Sequence, residues 1–290
     1  MEDRRKNYSL LLSVLVLLVI NIYLFHLDFA SSKKGFRFAM LDIGQGDALF
    51  IESPTGTQVL FDAGPAKKIL GPLRKVMSPF DRTIDAVVIT NPDADHIGGF
   101  ADVFKNYKVG LVLEPGTQND SQTFQSLKKT IEQKKILNIL AKRGMKLDIG
   151  GGAYIEILFP DRDVSTWAVN EGSVVARLVY GDTSVMLTGD APTSTEKIIL
   201  DNSKKNNLES TVLKVGHHGS RTSTSSAFVE AVSPLFALIS DGRDNKYGHP
   251  HLDTLNVLTK AGVEILRTDL LGTIIIMQSD GKNVSFSYKK

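Results

Sequence analysis

The stretch that most constrains the fold is residues 90–99, TNPDADHIGG, which places two carboxylates and an imidazole within four positions. An apolar run at 86–89 precedes it and a Gly-Gly pair ends it, so the pattern predicts a buried strand that leads into a loop. Side chains just past a strand end converge on one point, and carboxylates with an imidazole suit a hard or borderline divalent metal. The alternative is that Asp95 caps a helix starting near His96. The spacing alone leaves both interpretations open.

The amino-acid composition excludes several kinds of functional site. The chain has 290 residues, a net charge of +2 and no cysteine. Its length suits one large domain or two small ones. Without cysteine there are no disulfides, thiolate metal sites or cysteine nucleophiles. A charge of +2 is too small to indicate nucleic-acid binding by itself.

The N-terminal segment is apolar from Leu10 to Phe25, and residues 10–27 are about long enough to span a bilayer as a helix. The flanking cations are Arg4, Arg5 and Lys6 before the segment and Lys33, Lys34 and Arg37 after it. The first group favours a cytoplasmic N-terminus and an extracytoplasmic remainder, although the second group weakens that bias. A cleaved signal peptide is the competing interpretation, but no A-x-A-like site follows, so an uncleaved anchor is favoured.

The predicted organisation is therefore a short tail, a membrane anchor and a linker over residues 1–35, and one domain over 36–290. Within that domain, short apolar runs separated by turns alternate with helical patterns. The predicted helices are 66–77, 96–106, 121–143, 192–202, 223–232 and 251–261. Strands followed by helices, twice along the chain, are typical of two sheets packed face to face with helices outside.

Five histidines beyond the N-terminal segment lie in loop-like stretches after apolar strands: His96, His217 with His218, and His249 with His251. Glycines beside them permit tight turns around a bound ion. Three aspartates end strands in the same way. Asp190 carries two oxygens that can bridge two metals, and Asp62 is expected to orient a ligand or to fix the turn. The third stretch, Asp42 to Asp47, is either part of the site or an ordinary glycine-rich turn.

Taken together, these motifs resemble metallo-β-lactamase-fold hydrolases and, more narrowly, the soluble C-terminal domain of the ComEC competence proteins. The motifs occur in the family's order within residues 36–290: LDIGQGDA at 41–48, FDAG at 61–64, DADHIGG at 93–99, LTGD at 187–190, LKVGHHGS at 213–220 and YGHP at 247–250. The resemblance implies an α/β fold, the αββα metallo-β-lactamase sandwich, with the site at the edge between the sheets. One N-terminal transmembrane helix would precede it.

The chain departs from the usual H-x-H-x-D-H metal motif of this fold. Asn91 stands at the first position and Asp93 at the second, and Asn170 stands where many relatives carry a further metal-binding histidine. Three hypotheses follow: one tight and one weak metal, harder ions such as Mn or Mg on oxygen-rich ligands, or a degenerate site. The implied cofactor is one or two divalent ions, Zn, Mn or Mg.

The implied metal ligands are Asp93, Asp95, His96, Asp190 and one of His217 or His218. A bound metal would lower the pKa of a coordinated water from about 16 toward 7. Asp95 is expected both to bind metal and to position the attacking water. His249 would donate a proton to the leaving oxygen or contact the phosphate. Lys214 would neutralise developing charge, unless it is a solvated surface lysine.

The substrate follows only from the resemblance. ComEC-like domains are thought to act as nucleases during DNA uptake, which implies phosphodiester cleavage, with DNA as a partner. Lysines over 121–143 would extend a basic surface toward a phosphate backbone. Two alternatives stay open, because the fold alone does not select a substrate. They are a cell-surface phosphoesterase acting on lipid or wall phosphodiesters, and a degenerate, non-catalytic binding protein.

Overall fold

The computed structural model describes residues 2–31, 35–203, 207–278 and 284–289, and within the first helix the side chains of 7–24. The helices are α1 (Glu2–Ser31), α2 (Leu70–Val76), α3 (Ala94–Ile97), α4 (Phe100–Asn106), α5 (Gln122–Gln133), α6 (Thr193–Asn202), α7 (Ser226–Val232), α8 (Leu252–Lys260) and α9 (Thr268–Leu271). The predicted linker is Ala30 to Gly35, and its residues 32–34 lie outside the described residues.

The strands form two sheets. In chain order they are β1 (Phe36–Met40), β2 (Leu49–Glu52), β3 (Gln58–Phe61), β4 (Thr83–Val88), β5 (Lys108–Glu114), β6 (Leu137–Leu140), β7 (Lys146–Gly150), β8 (Ala153–Phe159), β9 (Val175–Tyr180), β10 (Thr183–Leu187), β11 (Val212–Lys214), β12 (Phe236–Ile239), β13 (Glu264–Arg267), β14 (Thr273–Gln278) and β15 (Ser285–Lys289). The first sheet has the order β15-β14-β1-β2-β3-β4-β5-β6, and the second β13-β12-β11-β10-β9-β8-β7. Strands β3 to β6 are parallel, as are β10 to β13.

The two sheets pack face to face and carry helices on their outer faces. The central core joins residues of both sheets, among them Phe38 and Phe61 with Ile155 and Leu187. A second cluster packs α2, α4 and α5 on the first sheet, and a third packs α6, α7 and α8 on the second. Central strands such as β2 and β10 are buried along their whole length because both faces are covered. The four layers form an αββα sandwich.

Strand direction separates two opposite edges of this sandwich. Strands β1, β3, β4 and β5 point the same way, since β1 and β3 both run antiparallel to β2. Their carboxyl ends and those of β10, β11 and β12 meet at one edge, which we call the site edge. For example, Ser240 Oγ after β12 donates to Gly46 O after β1 at 2.6 Å. The opposite edge, where β1 begins at Phe36, is the anchor edge.

The predicted helix over 121–143 is wrong in its second half. Ser121 caps α5 by accepting from Phe124 N at 3.2 Å, but the helix ends at Gln133 and β6 follows. Ile136 N donates back to Ile131 O at 3.1 Å while Lys135 takes a φ of +53°, which is the Schellman arrangement. Because lysine fills the left-handed position that glycine usually occupies, the sequence carries no stop signal there.

The interpretation of Asp95 as a helix cap is also wrong. Helix α3 begins at Ala94, so Asp95 lies inside its first turn, and the cap residue is Asp93, whose side chain makes no capping bond.

Helix α1 is long and apolar enough to cross a membrane, as the segment over 10–27 predicts. Its apolar window, Asn7–Leu24, has a mean hydropathy of 2.1. The described side chains of this window are exposed, with Leu10 at 66% and Val19 at 58%. Within the described part of the chain, no other helix meets the same length and composition criteria.

Candidate metal centre

Acidic and imidazole side chains from both sheets meet at the site edge. The residues that surround this centre are Asp47, Asp62, Asp93, Asp95, His96, Asp190, Lys214, His217, His218 and His249. The strand-end loops bring together every ligand implied by the resemblance.

Four of these side chains form the innermost group: Asp95, His96, Asp190 and His218. His96 Nε2 lies 3.1 Å from Asp190 Oδ2, and His218 Nε2 lies 3.4 Å from Asp95 Oδ2 and 3.7 Å from Asp190 Oδ2. One ligand atom from each of Asp95, His96 and His218 lies within 4.8 Å of the other two. Two imidazoles and two carboxylates at this spacing can share one divalent cation. Of the two adjacent histidines, His218 is the inner one.

A buried hydrogen-bond network fixes the ring of His96. Asp62 accepts from Thr90 N at 2.7 Å and from Thr90 Oγ1 at 2.5 Å, and its Oδ2 lies 2.8 Å from His96 Nδ1. The Nδ1–H is therefore the donor, which leaves the Nε2 lone pair facing the centre. This arrangement matches the orienting role expected for Asp62.

The backbone at the adjacent histidines is held in the left-handed region, with φ of +48° at His217 and +54° at His218. For residues other than glycine this conformation is strained and persists where the surroundings impose it. His218 Nδ1–H donates to Ser240 O at 3.0 Å, so Nε2 is the nitrogen that faces the centre and can bind a cation once its own proton is displaced. The strained turn thus points one imidazole inward and the other outward.

The outward histidine and Asp93 form the rim of the centre. His217 Nε2 lies 3.6 Å from Asp190 Oδ2, its Nδ1 lies 3.2 Å from Thr222 Oγ1, and its side chain is 27% exposed. Asp93 is half-buried, and its Oδ1 accepts from Asn119 Nδ2 at 3.1 Å. These two implied ligands therefore flank Asp190 on the open side.

Lys214 is fully buried beneath the centre, so the interpretation as a solvated surface lysine is wrong. Its Nζ forms a short ion pair with Asp47, donates to Gly189 O at 2.8 Å and lies 3.9 Å from Asp190 Oδ1. With no exposed atoms it has no direct access to a substrate. It supplies a fixed positive charge to the floor of the centre.

Asp47 is a site residue that the ligand prediction lacked. It is 1% exposed, and its Oδ1 lies 3.4 Å from His218 Nδ1. Its loop packs on α3 so tightly that a Cβ at Gly46 would lie 2.2 Å from Asp95 O. The signal was present in the Gly-x-Gly-Asp spacing at 44–47, which the sequence leaves open between a site loop and an ordinary turn.

His249 lies over the centre on its open side. Its ring centroid is 5.7 Å from that of His217 and 6.3 Å from that of His218, and Gln45 Nε2 lies 3.4 Å from its Nδ1. Burial and the neighbouring histidines lower the pKa of His249 to about 4. The ring is therefore neutral at pH 7, which favours a hydrogen-bond contact to a phosphate over transfer of a proton.

Charges inside the centre shift the pKa values of its ligands strongly. Burial opposes ionisation, but the carboxylates of Asp190 and Asp62 raise the pKa of His96 well above its usual value. Against the same burial, Asp190 and Asp47 raise the pKa of His218 to about 10. The two imidazoles in turn hold the pKa of Asp190 well below its usual range. A cation that binds here displaces protons from the imidazoles, so its affinity rises with pH.

The buried polar atoms of the centre are a second reason to expect a divalent cation there. Within the described residues, His96 Nε2, His218 Nε2 and Asp190 Oδ1 are buried and make no well-aligned hydrogen bond, and the two nitrogens face only carboxylate oxygens, at 3.1 and 3.4 Å. Buried polar atoms are nearly always paired, so unpaired atoms facing one point call for a ligand there. Imidazole nitrogens with carboxylate oxygens suit Zn and Mn.

The resemblance implies histidines where this chain has Asn91 and Asn170, and of the two Asn91 contacts Asp93 at the rim of the centre. Asn91 is fully buried, and its Oδ1 accepts from Asp93 N at 2.9 Å. Asn170 Oδ1 is buried and has no partner among the described residues. An amide is a poor metal ligand, so neither asparagine is expected to bind the ion, and His217 is the imidazole on the rim with Asp93.

The sequence profile of the Metallo-beta-lactamase superfamily matches residues 41–240. The chain belongs to this superfamily. The matched span includes the loops that carry Asp47, Asp62, Asp95, Asp190 and His218. Members of the superfamily are usually hydrolytic and bind divalent metals.

Relatives within the superfamily confirm the narrower resemblance to competence proteins. The chain is 32% identical over 259 residues to the ComE operon protein 3 of Bacillus subtilis, covering 81% of this chain and 32% of that protein. It is 31% identical over 234 residues to the competence protein ComA of Neisseria gonorrhoeae, covering 80% of this chain and 31% of that protein. The chain thus spans about a third of the length of the curated relatives it matches.

Solved structures confirm the predicted two-sheet fold. The metallo-beta-lactamase fold protein YhfI from Bacillus subtilis superposes with a TM-score of 0.52 at 13% identity, covering 80% of this chain and 96% of that one. CmlA, a diiron beta-hydroxylase from Streptomyces venezuelae, superposes with a TM-score of 0.54 at 15% identity, covering 84% and 54%. At these identities the similarity concerns the fold alone.

Proposed function

We propose that the protein is a membrane-anchored, metal-dependent hydrolase that cleaves phosphodiesters, with DNA as its substrate. The observation that carries the proposal is the convergence of Asp95, His96, Asp190 and His218, whose buried imidazole nitrogens lie 3.1 and 3.4 Å from carboxylate oxygens. A divalent cation bound there supplies a Lewis acid and lowers the pKa of a coordinated water. The names of the relatives, which refer to competence and recombination, support DNA as the polymer.

Each side chain has a proposed role that depends on its position in the centre. Asp95 is 34% exposed on its side chain and lies nearest the open side, where it can position the attacking water. His249, neutral at pH 7, is placed to contact a phosphate oxygen above the centre. Lys214 and Asp62 lie beneath and hold the inner group in place. The rim residues Asp93 and His217 are the proposed weaker ligands.

A cleft at the site edge supports a polymeric substrate. It has a volume of about 660 Å³, lies where β5 and β6 end, and is lined by four cationic and three acidic side chains: Lys128, Lys142, Arg143, Arg162, Glu114, Asp161 and Asp163. Lys128 pairs with Glu114 and Arg162 with Asp161, which leaves Lys142 and Arg143 as the cations proposed to contact phosphates. Asn119, in the loop that follows β5, donates to Asp93 at the rim of the centre. A strand whose scissile phosphate lies at the centre can extend neighbouring phosphates along this cleft.

The position of the centre favours a soluble polymer over a membrane lipid. If α1 spans the bilayer, the few residues between Ser31 and Phe36 keep the anchor edge within ~18 Å of the end of the helix. The loops of the centre begin about six residues further on, at the far end of β1, or ~20 Å away. A domain whose anchor edge faces the bilayer therefore holds the centre ~20 Å further from the lipid headgroups.

The deciding experiment uses the full chain in detergent. We expect at least one divalent metal per chain and metal-dependent hydrolysis of single-stranded DNA, double-stranded DNA or bis-nitrophenyl phosphate, assayed side by side. Asp190→Ala should lower metal affinity by more than ~100-fold, since even indirect partners of a metal ligand cost about 10–100-fold. The matched control is Asp201→Ala, at an exposed carboxylate paired with Lys197. If the protein binds no stoichiometric metal, and Asp190→Ala equals wild type in metal content and hydrolysis, the protein would be a non-catalytic binding protein.

The orientation is proposed from Arg4, Arg5 and Lys6, which precede the apolar window Asn7–Leu24 of α1 and favour an extracytoplasmic domain. Protease added to intact cells should then degrade the domain, and resistance until the cells are lysed would reverse this orientation.

A further inference from the structure

An exposed aromatic side chain lies at the anchor edge. Among the large apolar side chains that the structure describes, Phe80 is the most exposed, at 88%. It lies in the loop between α2 and β4, and β4 begins at the anchor edge because it points the same way as β1. Single exposed apolar side chains are common on soluble proteins, so the surroundings of Phe80 decide whether it has a partner.

The loop that carries this side chain packs beside the first residues of the domain. Arg37, in β1, donates to Val76 O at 2.5 Å, and Pro79 lines a cleft of about 510 Å³ together with Arg37. Only six residues lead from Ser31, where α1 ends, to Arg37, which is a reach of at most ~22 Å. If α1 spans the bilayer, this loop is therefore held close to the membrane surface.

Exposed cations surround the same loop. Lys75 lies in the last turn of α2, Arg82 precedes β4 and Lys108 begins β5, and all three are exposed. Lys108 N donates to Arg82 O at 2.7 Å, so these two residues are neighbours. Within the described residues, neither Arg82 nor Lys108 takes part in a salt bridge. Cations at this position are attracted to the headgroups of anionic lipids.

The carboxylates near the loop are already engaged. Glu52 is 1% exposed, and its Oε2 lies 3.3 Å from Arg37 Nη1. Asp81 Oδ2 accepts from Gln58 Nε2 and Asp85 Oδ2 accepts from Gln58 N, both at 2.7 Å. The exposed charge on this side of the anchor edge is therefore more positive than negative.

The second sheet presents a different charge on the same edge. Leu235, which precedes β12, is 63% exposed, and its N donates to Thr211 O at 2.9 Å. The described turns beside it carry the exposed carboxylates of Asp182 and Glu209. The cation of this region, Arg177, is half-buried and donates to Glu209 O at 2.7 Å. Charge thus distinguishes two apolar side chains that share one edge.

We propose that the loop over 78–82 docks onto a bilayer surface that contains anionic phospholipid. Phe80 inserts at the boundary between headgroups and acyl chains, and Arg82 and Lys108 lie among the headgroups. This proposal rests on the membrane anchoring by α1 proposed above and is independent of hydrolysis. Because the first-sheet side of the anchor edge makes the contact, the domain tilts and Leu235 is held further from the lipid.

The test reads the depth of single tryptophans in vesicles. The full chain is reconstituted into an equimolar mixture of phosphatidylcholine and phosphatidylglycerol with brominated acyl chains, which quench tryptophan fluorescence on contact. Trp167 is the chain's one tryptophan, and its ring centroid is 6.0 Å from that of Phe159. Phe159 ends β8 at the site edge, since β8 and β10 both run antiparallel to β9. Wild type therefore reports the edge far from the membrane.

Two variants report the anchor edge, each in a Trp167→Phe background: Phe80→Trp and Leu235→Trp. We expect the tryptophan at position 80 to be quenched several-fold more strongly than the one at position 235. Trp167 in wild type should not be quenched. Both substitutions are at exposed positions, and melting temperatures verify that the fold is intact.

The contribution of charge is measured in the Phe80→Trp protein. Arg82→Gln and Lys108→Gln should each lower the ratio of docked to undocked protein about five-fold, as expected for one cation near an anionic surface. A titration with phosphatidylglycerol measures this ratio through the quenching. Lys246→Gln is the matched control, because Lys246 is an exposed cation beside Tyr247 at the site edge. It should leave the quenching unchanged.

The outcomes separate docking from the proposed function. No quenching at position 80, or equal quenching at positions 80 and 235, overturns the docking, while flotation of the full chain with vesicles and its hydrolysis of bis-nitrophenyl phosphate would leave the proposed function intact. If the full chain does not float with vesicles, both the anchoring and the docking fail. Strong quenching at position 80 alone, in a protein that takes up no metal, supports the docking and removes the hydrolase proposal.

Discussion

The two sheets contribute to the centre in different ways. The first sheet holds its ligands by directed hydrogen bonds, since Asp62 accepts from Thr90 N and Thr90 Oγ1 and contacts His96 Nδ1, all within 2.8 Å. The second sheet relies on buried charge. Lys214 pairs with Asp47 across the two sheets, and Asp241, just after β12, has Arg267 at 3.5 Å and an unpaired Oδ1 within the described residues.

This difference indicates which substitutions each side tolerates. A hydrogen-bond network fixes the direction of a ring, so its loss should affect metal affinity more than folding. A buried ion pair depends on both partners, because removing one leaves the other charge uncompensated in the interior. We therefore expect changes at the second sheet to appear in stability and changes at the first sheet to appear in metal binding.

The largest effect is expected for Lys214→Met. Burial raises the pKa of Asp47, yet the lysine charge lowers it to about 2, so the carboxylate is ionised in the interior. Without the lysine, that buried charge should cost ~3–5 kcal/mol in the free energy of unfolding, measured by chemical denaturation. Lys197→Met, at an exposed lysine paired with Asp201, should change it by less than ~1 kcal/mol. Equal effects of the two substitutions would contradict the comparison.

At the first sheet, the matching test is Asp62→Asn, which concerns metal affinity. Asp62 accepts from Thr90 N through Oδ1 and from Thr90 Oγ1 and His96 Nδ1–H through Oδ2. An amide has one acceptor oxygen, so its NH2 group must face one of these two sets of donors, and the network that orients the His96 ring is weakened. Metal affinity should fall about 10–100-fold, as for other residues that orient metal-binding histidines.

A titration with metal measures this loss, and Asp85→Asn serves as its control because Asp85 accepts from Gln58 N near the anchor edge. Unchanged metal affinity in Asp62→Asn would mean that the network has no orienting role.

Sequence patterns predicted the strand-end ligands of both sheets better than the buried ion pair beneath them. The strand ends before Asp62, Asp95 and Asp190 are local signals, and parallel strands bring such ends to one edge. The burial of Lys214 was not predictable in this way, because it depends on Asp47, 167 positions earlier, reaching across from the other sheet. The same limit applies to Thr117 and Ser173, which are ordinary loop residues until packing leaves their hydroxyls without partners.

The smallest effect is expected for Asp241→Asn and concerns pH. Burial and the nearby Asp269 raise the pKa of Asp241 from 3.8 to about 7, despite the opposing charge of Arg267. Between about pH 4 and pH 7, the unfolded chain has lost a proton that the folded chain retains, so stability falls as pH rises and the penalty persists above pH 7.

Asparagine at position 241 removes this penalty. The variant should match wild type near pH 4 and exceed its unfolding free energy by at least ~1 kcal/mol at pH 8. Denaturation at both pH values measures this, with exposed Asp182→Asn as the control. Parallel pH profiles for Asp241→Asn and wild type would show that Arg267 fully compensates Asp241, and that the second sheet carries no unpaired charge at this position.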